Sequence, residues 1–242
     1  REIIRVGTSA GGAQAKAVVA WNPRTDTFLA GQENLPEGFG HWIVKFTPAE
    51  DPMWGESEYG IYRKALAAGI EMTECRLYEL DGIRHFMTRR FDRDGAKRHL
   101  VQTYCALCHL PPGRVPAALC TYEGLFDTIV RLDIGYGALE QMFRRMAFNV
   151  AIGECDDHAK NFSLLMRENG KWELAPAYDL TGYRHPVGDP AFSEWANRHA
   201  LSVKGKFSAI TDEDILHVGE RYGIGNAKAI LAEIRECVES GC

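Results

Sequence analysis

Asp156-Asp157-His158-Ala159-Lys160-Asn161 gathers carboxylate, imidazole, amine and carboxamide groups into one short block, and Asp179 adds a further carboxylate downstream. An aspartate set five residues ahead of an asparagine can align a hydroxyl and take its proton, while Asn161 and Asp179 offer the oxygen donors that Mg2+ prefers. Without its surroundings the same block reads as a polar, Asx-rich turn between a helix and a strand. Upstream features turn it toward phosphate chemistry. Gly7 to Gly12, continuing through Ala13-Gln14-Ala15-Lys16, supplies small residues whose backbone N–H groups can approach phosphate oxygens. Lys45 ends the apolar run His41-Trp42-Ile43-Val44-Lys45-Phe46, either as a cation for nucleotide phosphates or as a solvated strand lysine. Glu58 either pairs with Lys45 or is an acidic residue favoured near a helix N-terminus. Phosphoryl transfer needs phosphates held, their charge neutralised and a hydroxyl positioned, and the order loop, Lys45, Glu58, Asp156/Asn161, Asp179 supplies groups for each task.

The elements that would carry these groups follow from patterning. Val18 to Trp21 and Thr27 to Ala30 flank Asn22-Pro23-Arg24 as a hairpin, and His41 to Phe46 is a third strand. A helix is expected from Glu56 to Ala68 with Gly69 as its stop, then strands Glu74 to Leu80 and Ile83 to Phe91 joined by the Asp81-Gly82 turn. From Leu100 the periodicity becomes helical, over Leu100 to His109, Tyr122 to Leu132 and Gly137 to Ile152, the last apolar around much of its circumference and so central. A hairpin, Phe162 to Arg167 and Trp172 to Ala175, turns at Asn169-Gly170, and capped helices Thr211 to Tyr222 and Asn226 to Val238 close the chain. The expected architecture is α+β: a β-rich nucleotide-binding lobe over residues 1–95 and an α-helical catalytic lobe over 96–242.

The Asp156/Asn161 spacing is that of kinase catalytic loops. Gly11-Gly12-Ala13-Gln14-Ala15-Lys16, Val44-Lys45, Arg89-Arg90-Phe91-Asp92-Arg93, Asp156 to Phe162 and Ala177-Tyr178-Asp179-Leu180 together resemble the blocks of the HipA-like serine/threonine kinases, toxin components of bacterial toxin–antitoxin pairs, nearly end to end. The resemblance implies a bilobal protein kinase-like fold using ATP and Mg2+. It implies Asp156 as catalytic base, Asn161 and Asp179 as magnesium ligands, and Lys45 on the ATP phosphates, with Ser9, Gly11, Gly12 and Lys16 in the Gly-rich loop. Arg89, Arg90 and Phe91 would form the hinge strand at adenine, and His158 and Lys160 would assist phosphate or loop geometry. It further implies autophosphorylation of Ser9, with Thr8 beside it, as an off switch through like-charge repulsion. The implied partners are a protein substrate, an aminoacyl-tRNA synthetase by family analogy, and a DNA-binding antitoxin. Leu180-Thr181 stands where eukaryotic kinases have Phe-Gly, so a mobile metal-loop switch of that type is not expected. The family's preceding N-terminal segment is not in this sequence, which starts without Met and reads as a fragment.

The composition, 45% hydrophobic and 25% charged over 242 residues, suits an ordinary soluble domain or two lobes. A net charge of −5 gives no global field toward nucleic acid or anionic membranes, and no apolar run reaches spanning length, which favours the cytoplasm. The seven scattered cysteines read mostly as buried reduced thiols. Cys105-Ala106-Leu107-Cys108-His109 matches a covalent haem signature, but it lies on an expected helix within a chain-long resemblance, and a zinc site lacks a second ligand pair. Two other functional classes compete: a catalytically silent kinase-fold module that binds an antitoxin, and a small-molecule kinase.

Overall fold

Alternation in two apolar strands builds the first layer of the molecule. The computed structural model describes residues 8–9, 14–30, 34–110, 119–182 and 197–240. Strands β1 (Thr8–Ser9), β2 (Lys16–Asn22), β3 (Thr27–Leu29), β4 (Gly40–Lys45), β5 (Cys75–Leu80) and β6 (Ile83–Arg89) form an antiparallel sheet in the order β1-β2-β4-β6-β5, with β3 on β2. Its register sets Ala17 opposite Val44, Val19 opposite Trp42 and Val44 opposite Met87, so these residues and Trp21 share one buried face, packed by Phe28 and Tyr78. Because side chains alternate, Lys45 falls on the other face, beside Phe86. Asp81 and Gly82 turn β5 into β6 at positive φ, as the Asp-Gly signal requires. Beyond the expected strands, Arg93–Asp94 (β7) and Lys97–Arg98 (β8) form a small ribbon.

Helix α1 (Trp54–Ala67) follows β4. Gly55 lies in its first turn, where a Cβ would come within 2.5 Å of the Arg84 carbonyl oxygen and 2.6 Å of Thr47 Oγ1. The missing side chain lets the helix start sit directly on β6, one turn ahead of Glu58.

The expected helix from Leu100 is corrected. Leu100–Thr103 is strand β9, and only Tyr104–Leu107 (α2) is helical. Strand β9 pairs with β10 (Ser163–Met166), which also pairs with β11 (Trp172–Leu174), so a partner some 60 residues away overrides the local helical spacing. Thr103 then caps the single helical turn through its side chain, accepting from the Ala106 N–H. Cys105 therefore sits on one helical turn and Cys108 caps its end, and neither lies on a longer amphipathic helix.

The α-rich part holds α3 (Tyr122–Arg131), α4 (Tyr136–Ile152), α5 (Asp212–Arg221) and α6 (Ala227–Ser240). Helix α4 buries Met142, Phe143, Met146, Phe148 and Ile152 on several sides, which fits its nearly continuous apolar circumference. It stops at Gly153, whose φ of 68° is the left-handed conformation a glycine cap supplies. Thr211 and Asp214 make a reciprocal capping box at α5. The chain divides into two compact units: Arg1–Tyr62 with Thr73–His99, and Arg63–Met72 with Leu100–Cys242. Among the described residues Cys75, Cys155 and Cys237 are buried and Cys108 is exposed, and no helix is long and apolar enough to cross a membrane.

Candidate active site

In the first unit, strand alternation delivers the Lys45 ammonium to the Glu58 carboxylate, and both side chains are buried. This resolves the two readings of Glu58: it pairs with Lys45. Desolvating both charges is costly, and the contact with Glu58 plus the Trp54 and Phe86 rings, each 5.7 Å from Nζ, offsets part of it. Lys16 starts β2 directly opposite Lys45 in the register. Thr8 and Ser9 form β1, paired with Val18 and Ala17, while Gly11 and Gly12 lie outside the described residues.

Arg89 ends β6 and Arg90 follows it; the Arg90 N–H donates to the His41 carbonyl, 2.9 Å away. Arg89, Arg90, Arg93 and His41 line one concave patch. Arg90 is committed to a bidentate pair with Asp92 (2.9 and 2.7 Å), and Arg93 also donates to Asp92. Burial alone would raise the Asp92 pKa, but the Arg90 hydrogen bonds and the two guanidinium charges hold it below the usual range. Phe91, the other hinge candidate, is half-buried beside them.

In the second unit, Gly153 ends α4 and the chain enters Glu154–Asn161 as a hydrogen-bonded loop. The Asp156 carbonyl accepts from the His158 N–H at 2.8 Å and from the Asn161 side-chain amide at 2.9 Å. The Asp156 carboxylate is 56% exposed and lies 3.8 Å from His158 Nε2, beyond hydrogen-bond distance. Lys160 is exposed, and its carbonyl accepts from the Tyr178 hydroxyl at 2.7 Å. Asn161 and Asp179 line the same small cavity, with Glu154, Asp157 and Arg145 in its wall. Asp179 adopts φ 58°, the left-handed region that aspartate tolerates better than most residues and that is often found at functional positions. Arg145 is buried on α4, and burial pushes its guanidinium pKa down to about 10.

Two residues that motif reasoning missed hold this loop. Asp157 is 1% exposed; Oδ2 accepts from Tyr122 Oη at 2.7 Å and faces His199 Nδ1 at 3.0 Å, while Oδ1 accepts from the Ala200 N–H at 2.7 Å. Glu154, equally buried, accepts from the backbone N–H groups of Asp156, Thr181 and Gly182. Burial raises the Glu154 pKa, and those amides work against the rise. The only sequence signal for Asp157 is that it doubles Asp156, and Glu154 has none beyond following a helix-ending glycine.

Among the described residues no three His, Cys, Asp or Glu side chains are arranged to hold a metal ion. Mg2+ does not need such a cage: it keeps several waters and takes one or two protein oxygens together with substrate phosphates. Asn161 and Asp179 on one cavity fit that demand.

An antiparallel sheet carrying a lysine–glutamate pair, followed by an α-rich unit carrying an Asp/Asn loop and a later aspartate, is a protein kinase-like fold of the α+β class. A family model, the HipA-like C-terminal domain, matches residues 8–241, and the chain belongs to that family. Among solved structures, HipA of Shewanella oneidensis, determined with HipB and operator DNA, is similar over 97% of this chain and 58% of its own, with TM-score 0.68 and 18% identity. The Helicobacter pylori proinflammatory kinase CtkA is similar over 97% of this chain and 89% of its own, with TM-score 0.56 and 13% identity. Three curated relatives bear the name "Putative kinase". Y4dM of Sinorhizobium fredii is 22% identical over 83% of this chain and 50% of its own length, and one from Haemophilus influenzae is 28% identical over 58% and 45%. The chain spans about half the length of these two curated relatives.

Proposed function

We propose that the chain is the catalytic region of an ATP-dependent serine/threonine protein kinase of the HipA-like toxin type. The observation that carries the reading is Asn161: its amide is tied to the Asp156 carbonyl while it lines the cavity that Asp179 also lines, so the loop of the proposed base and the segment of the second proposed metal ligand meet at one cavity. Asp156 accepts the proton of a seryl or threonyl hydroxyl as the oxygen bonds to the γ-phosphorus and the bond to ADP breaks. Lys45, oriented by Glu58, holds ATP phosphates, with Ser9, Gly11, Gly12 and Lys16 contributing from the Gly-rich segment. Arg89, Arg90 and Phe91 form the adenine-side hinge, and His158 and Lys160 maintain the catalytic loop. Mg2+ held by Asn161 and Asp179 neutralises phosphate charge when bound. The decisive test is phosphoproteomics of cells producing the active protein beside its Asp156→Asn form: sites lost in the variant identify the substrate, and identical phosphoproteomes sink the reading.

A solved HipA–HipB–operator DNA complex among the similar structures supports a DNA-binding antitoxin partner; the cytoplasmic setting and an aminoacyl-tRNA synthetase as target belong to the same proposal and rest on the family resemblance alone. Lys45→Met keeps the apolar stem and removes the charge. The expected outcome is a rise in KM for ATP of about ten- to a hundredfold, as for loss of a hydrogen bond to a charged group. ADP-release kinetics check it, with a urea melt alongside because the buried Glu58 loses its Lys45 partner in that variant. Autophosphorylation predicts a phosphate on Ser9 or Thr8 after incubation with ATP and a fall in ATP affinity as it accumulates. Intact-mass and peptide mass spectrometry read both residues directly, and an unmodified peptide removes the switch.

A further inference from the structure

Glu154 occupies a place that electrostatics disfavours. It follows the C-terminus of α4 directly, where the helix dipole repels negative charge, and only 1% of it is exposed. A carboxylate there is tolerable because both of its oxygens accept hydrogen bonds. Oε1 accepts from the Asp156 N–H at 3.0 Å. Oε2 accepts from the Thr181 N–H at 2.7 Å, the Gly182 N–H at 2.7 Å and the Thr181 hydroxyl at 3.1 Å. One side chain thus grips the backbone of the proposed base with one oxygen and, with the other, the backbone two and three residues beyond Asp179.

We propose that Glu154 is a positioning residue that fixes the spacing between Asp156 and the Asp179 segment, and so sets the affinity of the Asn161/Asp179 pair for Mg2+. The proposal rests on the kinase reading above. Charge and shape both matter: four donors converge on one carboxylate, and a glutamine would turn an NH2 donor toward some of them. A residue serving packing alone would have no use for two acceptor oxygens aimed at two separate segments. Outer partners of metal ligands act in this way, and losing one typically weakens metal affinity about ten- to a hundredfold.

The test uses Glu154→Gln and the milder Thr181→Val, which deletes only the hydroxyl contact. Two readouts are taken: amide hydrogen exchange by NMR in metal-free protein, and ADP release against Mg2+ concentration at saturating ATP. In Glu154→Gln the Asp156, Thr181 and Gly182 amides are expected to exchange faster while the rest of the unit is unchanged. Half-saturating Mg2+ is expected to rise about tenfold or more, and in Thr181→Val about threefold. If Glu154→Gln fails to fold, Thr181→Val decides both readouts. With Asp156→Asn inactive in parallel, unchanged amide exchange or an unchanged Mg2+ requirement in the folded variants overturns the proposal. An active Asp156→Asn protein instead sinks the kinase reading, and the exchange data still decide whether Glu154 clamps the two segments.

Discussion

Asp156→Asn is expected to slow phosphoryl transfer by about 10²- to 10⁴-fold, the usual contribution of a positioned general base, with the urea midpoint unchanged. The two halves of that expectation come from different atoms of one residue. The backbone of Asp156 ties the loop together: the carbonyl accepts from His158 and from the Asn161 side chain, and the N–H donates to Glu154. Asparagine preserves all of these. The side chain, 56% exposed, contributes little packing, so exchanging a carboxylate oxygen for NH2 removes proton-accepting capacity without opening a cavity. KM for ATP is expected to stay within about threefold, because a group that acts on the hydroxyl proton does its work in the transition state. ADP-release kinetics with a matched urea melt check the split. Turnover equal to that of the unmodified protein would return Asp156 to the polar-turn reading.

What the sequence makes legible around this loop is a matter of distance along the chain. The Asp-to-Asn interval, the Asp-Gly turn at 81–82, the Asn-Gly turn between β10 and β11, and the apolar strand ending in Lys45 are local patterns whose meaning lies within a few residues, and each element formed. The Lys45–Glu58 pair was half legible: alternation put the lysine on one strand face, but only Gly55 seated on β6 brings the helix close enough to choose pairing over a surface glutamate. Leu100–Thr103 failed as a helix because its hydrogen-bond partners come from β10, and a non-local pairing leaves no trace in local spacing. Asp156 and Asp157 are chemically identical neighbours. The loop turns one carboxylate outward and buries the other among Tyr122, His199 and Ala200, partners separated from it by 35 to 43 residues. Glu154 is the same case, with its partners in the segment after Asp179.

That burial makes Asp157 the most consequential stability position in the loop. Asp157→Ala is expected to lower unfolding free energy by about 3–5 kcal/mol, the range for removing one partner of a buried charged network. The loss has separate sources. Tyr122 is completely buried; burial and then the Asp157 charge hold its hydroxyl pKa far above the usual value, so it stays protonated and needs an acceptor. Its donation at 2.7 Å goes to Asp157, and Asn149 Nδ2 donates back to the same hydroxyl at 2.9 Å, so losing the carboxylate disturbs both. The Ala200 N–H, 2.7 Å from Oδ1, would be left without its acceptor, and so would the buried His199 ring. Asp157→Asn separates charge from shape: its one oxygen can still serve the backbone donors, but its NH2 must face His199 and Tyr122. A loss of about 1–3 kcal/mol is expected there, below that of alanine. Urea unfolding of the two variants and of Tyr122→Phe checks the ranking. Asparagine matching alanine would show that the charge matters more than the hydrogen-bond geometry. A loss under about 1 kcal/mol in alanine would mean that water reaches the site and replaces the carboxylate, and the network would not be what holds the Glu154–Asn161 loop.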